Sequence, residues 1–99
     1  MNGRPTAEAG NRFECGMVCY VYVIGNRKNR LCRTYVGWAL DLDRRLAQHN
    51  SGTGAKSTRG RRWRLLYAER HETKRAAMSR EWHLKRDRAF RSALRDILR

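Results

Sequence analysis

The chain has 99 residues, with 23 Lys and Arg against 9 Asp and Glu and a formal charge of +14. That length admits one domain with one modest core, and so large a cationic excess repels itself unless a polyanion gathers around it, which points to a nucleic-acid partner. The longest apolar run, Met17 to Ile24, falls far short of the roughly 20 residues of a membrane-spanning helix, so no membrane role is expected.

Residues 1–16 mix Gly, Asn, Arg, Pro and Glu without a period, which predicts a flexible tail ahead of a single domain over 17–99. Glu8 and Glu14, with no apolar block between them, do not read as a secretory signal, and the expected compartment is the cytoplasm. Cys15, Cys19 and Cys32 lack the paired spacing of a zinc module and are expected to be reduced thiols.

From Met17 the run Val-Cys-Tyr-Val-Tyr-Val-Ile is rich in β-branched and aromatic residues and predicts a first strand. The polar stretch from Gly25-Asn26 to Arg33 predicts a turn longer than the tightest hairpin type, followed by a second strand over Thr34 to Trp38. Asp41 can cap a helix with Leu42, Leu46 and Ala47 on its apolar side, closed at Asn50-Ser51-Gly52. On that helix Arg45 and His49 share a face one turn apart.

Ser51 to Gly60 is rich in Gly, Ser, Thr and Lys and predicts a loop, and Trp63 to Ala68 predicts a third strand. Thr73 can cap a helix to about Arg86 in which Ala77, Met78 and Trp82 recur at helical spacing, with a core role expected for Trp82. Asp87 separates it from a last helix striped by Phe90, Ala93, Leu94, Ile97 and Leu98. The predicted order is strand, strand, helix, strand, helix, helix, an α+β arrangement. Residues Lys56 to Arg99 hold 15 basic and 5 acidic residues, +10 of the total charge, so the binding face is expected there.

Tyr20-Val21-Tyr22 is followed, thirteen positions after Tyr22, by Tyr35-Val36-Gly37. Arg45, then His49-Asn50 one turn on, the glycine-rich loop and Glu81 complete an ordered set. This set resembles the GIY-YIG nuclease superfamily, most closely its small stand-alone bacterial members, which are similar to the amino-terminal nuclease domain of the excinuclease C subunit. The resemblance implies a small three-stranded antiparallel sheet flanked by helices. It also implies a metal-dependent endonuclease acting on DNA, in repair or recombination, that leaves a 5′-phosphate and a 3′-hydroxyl. Two departures stand out: Tyr20-Val21 replaces Gly-Ile, and Trp38 follows Gly37 where the excinuclease domain carries a lysine.

The chemistry asks for the same residue types. Phosphodiester hydrolysis needs a nucleophilic water, stabilisation of phosphoryl charge and help for the leaving oxygen. Tyr35 or Tyr22 can accept the water's proton, Tyr35 ranking first, although a free phenol titrates near about 10 and needs cations nearby. Arg45 offers a fixed guanidinium fork to a phosphate, and His49 can donate to it or relay a proton.

Glu81 is an acid at the apolar edge of an otherwise basic helix. One carboxylate, waters and substrate oxygens suffice for a single Mg2+ or Mn2+. No small-molecule cofactor is expected. Lys56, Arg59, Arg61 and Arg62, set among glycines, can approach a phosphate backbone, while Gly37 and Asn50 read as structural motif positions. The rival reading is a non-catalytic nucleic-acid-binding module for DNA or RNA, which explains the charge but not Glu81. Selectivity among DNA structures would have to come from the basic loop, the tail, a dimer or a protein partner.

Overall fold

The computed structural model describes residues 18–99; the expected flexible tail, and Cys15 within it, lie outside the described residues. Three strands form an antiparallel sheet in the order β2-β1-β3, with β1 over Cys19–Lys28, β2 over Leu31–Ala39 and β3 over Arg64–His71. Helices α1 (Leu42–Ser51), α2 (Lys74–Arg86) and α3 (Arg88–Arg95) complete the predicted order. None of these helices is long and apolar enough to cross a membrane.

The central strand has period-two alternation, and the two sets of side chains go to different cores. Cys19, Val21 and Val23 are fully buried together with Val36, Ala77 and Leu84, against Trp38, Tyr67, Phe90 and Leu94, so this face of the sheet is covered by α2 and α3. Tyr22 and Ile24 belong to a second cluster with Ala39 and Trp63, against Tyr35, Leu42 and Leu46 of α1. Complete burial of a side chain such as Leu84 stabilises by roughly 1.5–3 kcal/mol. The same alternation that builds the first core therefore presents both motif phenols to α1.

Each predicted cap is present. Asp41 accepts from the Arg44 amide and Thr73 from the Ala76 amide, and Gly52 ends α1 with φ of 84°. Asp87, expected only to separate the last two helices, also caps α3 by accepting from the Phe90 amide.

Three expectations are corrected. The hairpin loop is the two-residue Asn29-Arg30 pair, with φ of 53° and 69°, and the polar residues assigned to a turn extend the ladder instead, through Asn26↔Arg33 to Lys28↔Leu31. Two positive φ values match the type I′ turn whose twist suits paired strands, and asparagine tolerates that conformation. On α2 the buried residues are Ala77 and Leu84, whereas Met78 and Trp82 are exposed at 47% and 53%. At about 100° per residue Trp82 lies roughly 150° from the line of Ala77 and Leu84, on the far side of the helix, and its ring is covered by Arg86, 3.7 Å from the ring centroid. On the last helix the inward line is Phe90, Leu94 and Leu98, with Ala93 and Ile97 left exposed as Asp96–Leu98 tightens into a 3-10 turn.

Candidate active site

Four of the motif side chains meet on the α1 face of the sheet. The register that pairs Tyr22 with Gly37 puts Tyr22 beside the end of β2. Its hydroxyl passes over Gly37 so closely that a Cβ there would lie 2.6 Å from Oη. Glycine at position 37 is thus the space the phenol occupies. Across the sheet face, His49 Nε2 lies 2.7 Å from Tyr22 Oη. The His49 ring also packs edge-on against Tyr35, with centroids 5.1 Å apart at 61°. Tyr22 and His49 are 1% exposed, while Tyr35 is half-buried and reaches the surface.

Arg45 stands one turn before His49. Its Nη1 donates to the Trp38 carbonyl at 3.3 Å and its Nε to Gln48 Oε1 at 3.1 Å, which fixes the guanidinium against the end of β2. A cleft of about 390 Å³ opens beside it between Trp38, Leu40, Asp41, Arg44 and Gln48.

The electrostatics tie these groups together. Burial, helped by the neighbouring Tyr35, raises the Tyr22 phenol to about 12, against the hydrogen-bonding and positive charge of Arg45; the charge of Glu81 adds to the rise. His49 is held below the usual histidine range, first by burial and then by the Arg45 charge, so it is neutral near pH 7. Trp38, which stands where the excinuclease domain has lysine, packs on the opposite core with Lys74 Nζ 5.6 Å from its ring centroid. The cation acting on a phenol here is Arg45.

Glu81 is on α2, on the other side of the sheet from α1. Its side chain is 21% exposed, and its ion pair is with Lys85 at 3.4 Å. Among the described residues no hydrogen bond joins Glu81 to Tyr22, Tyr35, Arg45 or His49, and its reach to Tyr22 is through its charge. A hard divalent ion suits this donor, because an exposed i,i+4 ammonium is a weak competitor. Among the described residues no group of three or more His, Cys, Asp or Glu could hold a metal, so water and phosphate oxygens would have to complete a coordination shell based on Glu81.

The competing acid Glu69 is engaged elsewhere. It accepts from the Tyr67 hydroxyl, from Arg80 Nε at 2.9 and 3.0 Å, and pairs with His71 Nε2 at 2.9 Å. Burial alone would raise its carboxyl, but these donors outweigh it and the net shift is downward.

The basic loop divides. Lys56, Arg59 and Arg62 are exposed, whereas Arg61 donates to Asn26 Oδ1 at 3.2 Å and is tied to β1. Asn50 grips the far end of the loop, donating to the Trp63 carbonyl at 3.0 Å and accepting from the Trp63 amide at 2.6 Å. Two residues of the glycine-rich loop that the sequence did not single out lie against His49: Thr58, whose Oγ1 is 2.8 Å from Nδ1, and Gly54, where a Cβ would lie 2.7 Å from that nitrogen. A glycine and a threonine in a polar loop carry no periodic signal, and the nine-residue separation of Thr58 from His49 is visible only once the loop folds back.

A family model described as the GIY-YIG catalytic domain matches residues 18–92. A UPF0213 protein of Clostridium perfringens is 44% identical over 68 residues, 68% of this chain and 70% of its own length. A UPF0213 protein of Natronomonas pharaonis is 43% identical, over 67% of this chain and 75% of its own. A UPF0213 protein of Streptococcus pneumoniae is 47% identical, over 68% and 66%. That shared name states no activity. No solved structure matches the chain.

Proposed function

The chain belongs to the GIY-YIG family, and on that premise we propose that it is a metal-dependent endonuclease hydrolysing DNA phosphodiester bonds in the cytoplasm, in repair or recombination. The observation that carries this reading is the meeting of Tyr22, Tyr35, Arg45 and His49 at one point of the sheet, beside a surface cleft. A binding module has no need of two phenols and a neutral imidazole packed together.

In this reading Arg45 binds the scissile phosphate, its fork already oriented by Gln48 and Trp38. Tyr35, the more exposed phenol, meets the attacking water and, in its phenolate form, takes its proton. Tyr22 is held protonated by burial and bonded to His49, so it lines the site as an orienting hydroxyl. Glu81 would hold one Mg2+ or Mn2+, which supplies charge stabilisation for the phosphoryl and leaving oxygens. Lys56, Arg59 and Arg62, with Arg61 behind them, contact the backbone of the bound strand.

Supercoiled plasmid incubated with the protein tests the reading. Relaxed circles with Mg2+ or Mn2+, and none with chelator, are expected. A shift in gel mobility that weakens steeply with salt, and no cutting under either condition, would favour the binding module.

A further inference from the structure

Thr58 Oγ1 has two close partners, the Ala55 carbonyl at 2.8 Å and His49 Nδ1 at 2.8 Å. A carbonyl oxygen only accepts, so the single hydroxyl proton of Thr58 goes to Ala55, and Oγ1 must accept from His49 Nδ1–H. A neutral imidazole carries one ring proton. Nε2 therefore offers a lone pair, and Tyr22 Oη, 2.7 Å away, donates to it. We infer that Thr58 is a positioning residue that fixes His49 as the Nδ1–H tautomer, and through it commits the Tyr22 proton to His49 while leaving the phenol oxygen as an acceptor.

Water cannot take the place of Thr58, because Thr58 is 0% exposed and His49 1%. The opposite tautomer would set the Nδ1 lone pair against the Oγ1 lone pairs and turn an Nε2–H toward Tyr22, reversing the phenol from donor to acceptor at that bond. The loop is anchored on both sides of Thr58. Its amide donates to the Ala55 carbonyl at 3.0 Å, and its own carbonyl accepts from Trp63 Nε1 at 2.8 Å. Trp63 is in turn gripped by Asn50. At Gly54 a Cβ would also lie 3.1 Å from the His49 Cα, so the chain passes against the imidazole where no side chain fits. The loop thus has a second role besides carrying Lys56 and Arg59: it holds the histidine's protonation geometry.

The catalytic consequence rests on the nuclease reading; the tautomer does not. Long-range proton–nitrogen spectra of 15N-labelled protein report which ring nitrogen of His49 bears the proton, with His49→Gln supplying the assignment. Wild type is expected to carry it on Nδ1. Thr58→Val keeps the shape without the hydroxyl and is expected to show Nε2–H or an average of both forms, with nicking slowed roughly 10- to 100-fold. Thr58→Ser is expected to restore both. A wild-type Nε2–H, or an unchanged tautomer in Thr58→Val, overturns the inference, whether or not the valine variant is stable. An altered tautomer with wild-type nicking overturns the catalytic consequence. A wild type that never nicks DNA defeats the nuclease reading, and the spectra then decide the tautomer by themselves.

Discussion

Tyr22 and His49, 27 residues apart in sequence, are joined Oη to Nε2 at 2.7 Å inside the protein, with Gly37 backing the phenol. The bond spans the central strand and the first helix, and it is the contact around which Tyr35 and Arg45 are arranged.

Gly37→Ala should break it. The added methyl would lie 2.6 Å from Tyr22 Oη and 2.8 Å from Cζ, so the ring must move. Overpacking of this kind costs about 1–3 kcal/mol. Urea unfolding should show a loss in that range together with slower nicking, and a variant of wild-type stability would mean the phenol does not sit against the strand.

Acid should weaken the fold through His49. Its folded pKa lies below the ordinary 6.5, so below that value the unfolded chain binds the proton more readily than the folded one. The stability from keeping His49 neutral is complete above 6.5 and is lost as pH falls through the folded value. Melting curves from pH 8 to pH 5 should show a smaller acid loss in His49→Gln than in wild type. Parallel losses in the two proteins would contradict a buried neutral imidazole.

Glu69 and Glu81 should separate cleanly. Glu69→Gln leaves the Arg80 charge without its carboxylate and weakens the bonds from Tyr67 and His71. A loss of about 1–3 kcal/mol of stability is expected, with nicking at the wild-type rate. Nicking abolished in a folded Glu69→Gln protein would move the metal assignment away from Glu81.

The exposed loop cations should act on binding alone. Lys56→Ala and Arg59→Ala are each expected to weaken DNA binding and to reduce the salt slope of the affinity by about 1. Slopes equal to wild type would place the DNA on another face.

Local chemistry was the legible part of this protein. Capping by Asp41 and Thr73, the glycine stop at Gly52 and the one-turn spacing of Arg45 and His49 all act within a few residues, so they can be read from the sequence in order. What escaped depends on distant partners. Whether polar residues 26–33 form a loop or a ladder is decided by cross-strand pairing, and the tip closes on Asn29-Arg30 without the usual glycine. The inward face of α2 is decided by the sheet beneath it, which selects Ala77 and Leu84 over Met78 and Trp82. Gly54 and Thr58 matter through one imidazole, and nothing in their own neighbourhood announces it.

Whether these dispersed side chains form one metal-dependent cutting site is decided by comparing wild type, Arg45→Ala and Glu81→Gln for plasmid nicking in Mg2+ and for DNA binding at matched salt. Nicking is expected to fall about 100-fold or more in each variant while all three proteins bind DNA, Glu81→Gln with affinity close to wild type. Nicking by folded Glu81→Gln at the wild-type rate, with the same dependence on Mg2+, would contradict a single shared site.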